Sequence, residues 1–247
     1  MNLTRQHDTL PSATLDAQIR VIGAGGIGSW STLSLAKLGF KRIEVVDFDT
    51  VDEVNIPSQV FSMSQVGKPK VTALYDVVKL LTDTAIVEKQ ERYAELLPCD
   101  ILVVAVDNMA VRKQIAEDLL GGRLTARWIV DARMAIETGI IKPYNHETVK
   151  RYLNDLYTDE QAASEPCTNK AIAYTTLVIA GLVSKTVCML LRHNAVLQTS
   201  FCLEYGPTQS PQFMTHTKAP TVFVAPIEDT VGDEDEEQNE DEASDGF

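Results

Sequence analysis

Gly23, Gly25 and Gly28 stand at G-x-G-x-x-G spacing in "RVIGAGGIGSW" (20–30), with Gly26 a further glycine in the turn. Glycines so spaced let the backbone turn tightly and approach phosphate oxygens, and the helix that follows presents free N–H groups and its positive end. Asp47, 24 positions after Gly23, ends the next apolar run, where a carboxylate accepts hydrogen bonds from ribose hydroxyls. These residues alone fit a nicotinamide or flavin dehydrogenase, a methyltransferase, an ATP site, or a purely structural turn. Lys70 in "VGKPKV" and the pair Asp107-Asn108 narrow the choice. A lysine opening a helix near the phosphate end of the crevice neutralises developing charge, although a solvated surface lysine is the ordinary alternative. A carboxylate at a strand end can hold a magnesium ion bridging phosphates, and Asp or Asn there also caps the next helix. Asp107 would then be the ligand and Asn108 the cap. A dehydrogenase has no need of lysine and carboxylate together at the phosphates, whereas a nucleotidyl transferase does.

The elements that must position these residues follow from hydrophobic periodicity. Strands are expected at 18–23, 42–49, 85–93, 100–108, 126–134 and 139–145, with late strands at 199–206 and 220–226. Helices are expected at 27–39, stopped by Gly39, at 69–83, and at 109–120, stopped by Gly121 and Gly122. A polar stretch, 146–169, precedes the longest apolar run, 171–192, which contains Lys185 and two hydroxyl-rich patches and reads as a core helix and not a membrane span. Alternating strands and helices with acids at strand ends indicate an α/β doubly wound sheet whose ligand sits at the carboxyl ends of the strands.

The stretch "VIGAGGIGS…IEVVDFDTVDEVNI…VGKPKV…AVDNMAVR" resembles the ThiF/MoeB/HesA adenylyltransferases, the domain shared with ubiquitin-activating enzymes, over roughly residues 18–192. The resemblance implies a Rossmann-like, mostly parallel sheet with late antiparallel strands. It implies ATP·Mg-dependent adenylation of the C-terminal carboxylate of a ubiquitin-like or sulfur-carrier protein, with release of pyrophosphate. By position, Gly23, Gly25, Gly26 and Gly28 would cradle the nucleotide and Asp47 would hold ribose. Asn55 and Lys70 would contact phosphates, Asp107 would bind magnesium, and Asn108 completes the family's Asp-Asn pair. Arg112 matches the arginine that follows the pair, in a catalytic, helix-surface or ion-pair role. The resemblance also implies a homodimer.

The chain departs from the family in places. In the family's "N-x-x-R-Q", whose arginine reaches the triphosphate, Ser58 stands at the arginine position of Asn55-Ile56-Pro57-Ser58-Gln59. Losing one charge-assisted contact costs about 1.5–3 kcal/mol. A relocated cation (Lys68 being one choice), a slow enzyme and a pseudoenzyme each account for the change. Arg5 in "LTRQ" resembles the arginine that the family sends across the dimer into its partner's ATP site, though Arg5 stands nearer Gly23 than the family pattern has it; a frayed terminus is the plain alternative. Cys167 in "SEPCTNKAIAYTTLVIAG" resembles the cysteine ahead of the family's long helix, where a thiolate is stabilised by the helix dipole and could take a thioester or sulfur-transfer role; an ordinary free cysteine is the alternative.

Composition bounds the rest. The length suits one sizeable α/β domain, and 45% hydrophobic residues suffice for a core. The division expected is an N-terminal arm at 1–17, an adenylation domain at 18–226 and an acidic tail at 227–247. The formal net charge is −13, but eleven acids lie in 228–247 with no lysine or arginine, so the body is nearly neutral. Such a tail is expected to be disordered, giving solubility or docking a basic partner. Clustered cations suited to nucleic acid are missing, which argues against a tRNA-modifying relative of the threonylcarbamoyl-adenosine dehydratase kind. The four cysteines form no CxxC pair, so reduced thiols and no zinc are expected. No signal-peptide core is seen, and a soluble cytoplasmic protein is expected. A catalytically silent partner subunit that binds a ubiquitin-like protein is the reading from another class, motivated by Ser58.

Overall fold

The computed structural model describes residues 1–94, 98–135, 137–156 and 172–193 in full and 199–202 as backbone. Among the described residues seven strands form one sheet: β1 Gln18–Ile22, β2 Arg42–Val46, β3 Val87–Lys89, β4 Cys99–Val104, β5 Ala126–Met134, β6 Thr138–Tyr144 and β7 Thr199–Cys202. Their order is β3-β2-β1-β4-β5-β6-β7. The first five strands run parallel, and β6 and β7 pair antiparallel to their neighbours, as the doubly wound reading requires. The chain leaves β1 toward β2 on one side and returns to β4 on the other, so the crevice between β1 and β4 is a switch point in the topology.

Central strands buried on both faces read as continuous apolar runs, and their alternate residues feed two cores. Ile19, Val21, Ile43, Val45, Ile101, Val103 and Val130 pack with helices α1 (Gly26–Leu38), α2 (Lys70–Leu81) and a long C-terminal helix, Ala173–His193. Ile22, Val46, Leu102, Val104 and Ile129 pack on the opposite face with α3 (Met109–Leu120) and α4 (Val149–Asn154). The long helix, α5, is apolar and long enough to cross a membrane by length and composition alone. Its Thr175, Thr176, Ile179, Val183, Val187 and Leu190 are nevertheless buried.

The expected elements recur with shorter ends. Strand β2 stops at Val46 and not at 49, because Asp47 takes backbone N–H groups outside the ladder. Strand β3 keeps only three residues, all exposed. The stretch read as merely polar holds α4, begun where Thr148 and Asn145 bond each other's main chain at 2.9 and 3.1 Å. Val149, Tyr152, Leu153 and Leu156 form the apolar face that sequence reading passed over. Residues 1–17 are two short 3-10 turns with a buried Leu15, and Leu3 lies against Gly39. The expected strand at 220–226, Cys167 and the acidic tail lie outside the described residues.

Candidate functional site

Register decides the geometry of the site. Ile22 pairs with both Val46 and Val104, so β1, β2 and β4 end level and their loops leave from one edge. The exits are tied together: Gly23 N donates to Val46 O and Ala105 N to Ile22 O, both at 2.9 Å. Gly23 has φ +95°, and a Cβ there would lie 2.7 Å from the carbonyl oxygen of Ala105. At Gly28 a Cβ would lie 1.8 Å from Gly23 O, so these two glycines close the turn. Gly26 leaves room for the Thr176 and Met134 side chains. Gly25 is different: among the described residues, a Cβ there would meet nothing within 4 Å. Gly25 is also the N-cap of α1 and supplies no side-chain cap, so the helix turns an open, positively polarised end toward the crevice.

Asp47 is buried at the end of β2. Its Oδ2 accepts from Ala24 N at 2.6 Å and its Oδ1 from Asp49 N at 2.8 Å, which joins the strand end to the glycine turn. Lys70 is buried as the first residue of α2, and its Nζ donates to Asp49 Oδ2 at 2.9 Å. The same two residues share a backbone bond, Lys70 N to Asp49 O at 2.9 Å. Asp107 follows β4 and is exposed, with no hydrogen-bond partner among the described residues. Asn108 caps α3, its Oδ1 accepting from Val111 N at 3.1 Å.

The remaining expected positions fare unequally. Asn55 lies in a 3-10 turn, where its Oδ1 accepts from Asp52 N at 3.0 Å. Ser58 is buried beside the first turn of α1, and its carbonyl accepts from Trp30 Nε1 at 3.1 Å. Lys68 pairs with Asp76 at 3.3 Å on the surface, so that cation is already engaged. Arg5 is exposed next to Gln6, whose side chain bonds Leu38 O at the far end of α1. At 1.5 Å per residue, that is about 18 Å from the glycine turn. Arg5 is therefore not brought to the site of its own chain.

Two features lie outside the sequence expectations: a stacked pair beside Asp47 and the partner of Arg112. The Arg92 guanidinium stacks 3.8 Å above the Phe48 ring, next to Asp47, and no motif signals it. Arg112, left open between catalytic, helix-surface and ion-pair roles, is buried and paired with the fully buried Asp131, which removes the helix-surface role. Tyr152 OH also donates to Asp131 at 3.0 Å, and burial followed by the Asp131 charge raises that phenol's pKa. An acid inside the hydrophobic strand "ARWIVDARM" is the signal that could have found it. Of the described cysteines, burial pushes Cys99 up to about 12 and Cys188 up to about 11, so neither is a ready nucleophile.

The fold is a Rossmann-like α/β domain with the ends of its central strands opening on a topological switch point. The chain belongs to the ThiF family, whose model matches residues 8–222. It is 35% identical over 104 residues to the adenylyltransferase and sulfurtransferase MOCS3 of Anopheles gambiae, a match covering 39% of this chain and 24% of that protein. It is 30% identical over 111 residues to the molybdopterin-synthase adenylyltransferase of Escherichia coli, covering 42% of this chain and 45% of that one. The chain thus spans less than half the length of either relative. Among solved structures, E. coli MccB with AMPCPP and MccA superposes with a TM-score of 0.61 at 18% identity, covering 85% of this chain and 67% of that one. That likeness concerns the fold.

Proposed function

We propose that the chain is an ATP·Mg-dependent adenylyltransferase that activates the C-terminal carboxylate of a ubiquitin-like or sulfur-carrier protein. The observation that carries this reading is the shared sheet edge, where a helix end without a side-chain cap, Asp47, the Lys70–Asp49 pair and an exposed Asp107 converge. The names of the adenylyltransferase relatives support it. The space that the described residues leave open over Gly25 suits a phosphate chain, and a carboxylate exposed and unpartnered among them suits a hard divalent cation. In this reading the glycine turn and the N–H groups of α1 hold the phosphates, Asp47 orients ribose, and Asn55 and Lys70 face the phosphates. A carboxylate is a poor nucleophile toward an anionic phosphate, so charge neutralisation and positioning dominate. The carrier's carboxylate oxygen attacks the α-phosphorus, forming the acyl-adenylate while the bond to pyrophosphate breaks. Magnesium held by Asp107 would offset the charge of the leaving pyrophosphate, with Asn108 capping α3 beside it.

Transfer from the adenylate to Cys167, a homodimer that brings Arg5 to the other copy's nucleotide, and a cytoplasmic setting complete the proposal. The distance of Arg5 from its own glycine turn supports use in trans. The second reading, a silent partner subunit, is favoured by Ser58 and by the neutralisation of Lys70 through Asp49. Pyrophosphate exchange with ATP·Mg and candidate carrier proteins separates the two. Exchange that Asp107→Ala abolishes supports catalysis; ATP binding without exchange favours the silent partner. No ATP binding overturns both nucleotide readings.

A further inference from the structure

We infer that Arg112 is the positioning residue for Asp107, fixing the β4–α3 corner from behind; the inference rests on the adenylation reading of this site. Arg112 is the fourth residue of α3 and is 2% exposed. Its guanidinium reaches back under the corner. One nitrogen donates to Val104 O at 3.4 Å and pairs with Asp131, and the other donates to Val106 O and to Ala132 O, the latter at 2.9 Å. Val106 is the residue immediately before Asp107, so its carbonyl sets the direction in which the next peptide leaves. On the far side, Asn108 caps α3 through Val111 N, and its carbonyl accepts from Arg112 N at 3.4 Å. The peptide entering Asp107 and the residue that follows it, Asn108, are therefore both held by the first turn of α3, while the Asp107 side chain stays exposed and unpartnered among the described residues.

Stability alone does not account for this arrangement. A buried ion pair is often no better than apolar residues of the same volume, because desolvation offsets its Coulomb gain. What the pair supplies is geometry. The planar fork of an arginine spans carbonyls from two strands at once, which the point charge of a lysine does not. Asp131 is itself fixed, accepting from Tyr152 OH at 3.0 Å on one oxygen and from Arg133 Nε at 2.6 Å on the other. The chain of bonds from Tyr152 through Asp131 and Arg112 to Val106 O forms a strut that aims a free carboxylate. A carboxylate binding a small hard cation needs such support, since slack in its backbone is slack in the ligand.

The test is ATP binding by the full chain with Mn2+ standing in for Mg2+ and free Mn2+ counted by electron paramagnetic resonance. Arg112→Lys keeps the charge opposite Asp131 and loses the fork; Tyr152→Phe removes one donor from the strut and leaves Arg112 in place. Metal-free ATP binding is expected to stay within about twofold of wild type in both. The Mn2+ concentration for half-maximal enhancement is expected to rise about tenfold in Arg112→Lys and about two- to threefold in Tyr152→Phe. Amide exchange should quicken at 106–108 and not in β1. A general structural defect would instead weaken metal-free and metal-dependent binding together, and that result overturns the inference. An unchanged Mn2+ requirement in Arg112→Lys also overturns it, as does one in Tyr152→Phe should the first variant not fold. Wild-type protein that binds no ATP removes the adenylation reading, and this role with it.

Discussion

The two sides of the crevice are built on opposite principles. On the β1–β2 side the polar groups are buried and bonded to the protein itself: Asp47 to Ala24 N and Asp49 N, Lys70 to Asp49. On the β4–α3 side Asp107 is exposed and unpartnered among the described residues, and the bonded groups, Arg112 and Asp131, lie behind it. The first side is a floor whose residues shape the turn as much as they meet a ligand. The second side offers an uncommitted charge on a rigid mount. Mutations on the two sides should therefore separate stability from chemistry.

The largest effect is expected from Asp107→Ala, which should lower pyrophosphate exchange about a thousandfold, as loss of a metal-held transition-state contact does. Because the side chain is exposed and unpartnered among the described residues, the variant's melting temperature should shift little. Asp47→Ala is the contrasting case. It strips acceptors from two backbone N–H groups and should cost about 1–3 kcal/mol in urea unfolding, together with weaker ATP binding. Equal stability losses in the two variants would erase the distinction between floor and mount.

Ser58→Arg tests whether the floor lacks a cation. Position 58 lies against the first turn of α1 and carries a hydroxyl at the place that the family pattern gives to arginine. If the enzyme is merely slow, the restored guanidinium should raise exchange about tenfold, in line with about 1.5 kcal/mol for a charged hydrogen bond. No gain, with the fold intact by circular dichroism, would favour a cation from a second copy or the silent partner.

Much of this was legible before any coordinates. The glycine spacing and Asp47 mark a turn because only glycine tolerates the close approach of Ala105 O at position 23 and of Gly23 O at position 28. The parallel order follows from apolar strands alternating with amphipathic helices, and α3 was read at its observed bounds. The strut was not legible, because its parts, Arg112, Asp131 and Tyr152, lie on three separate elements and meet only through tertiary packing. Helix α4 was passed over because one buried face of six residues is a weak periodic signal amid polar neighbours. The commitment of Lys70 to Asp49 was likewise hidden, since residues 21 positions apart announce no pairing.

The smallest expected effect lies at the far end of the β5–β6 hairpin and limits how far the mount extends. Asp155 accepts from Tyr144 OH at 2.7 Å and Lys142 Nζ at 3.1 Å. Burial pushes its pKa up, but these two hydrogen bonds together with the Lys142 and Arg151 charges hold it below the usual 3.8. A carboxyl with a depressed native pKa contributes stability that is complete above the unfolded value and is lost as pH falls through the native one. Asp155→Asn should therefore be less stable than wild type at pH 6, by under about 1 kcal/mol for a partly exposed group. The gap should close as the pH is lowered from 3.8 through the native value. ATP binding at pH 7 should be unchanged, because Asp155 bears on the hairpin and α4 and the strut reaches the corner through Asp131. An altered Mn2+ requirement in Asp155→Asn would extend the mount to α4 as a whole and make Arg112 one part of a longer lever.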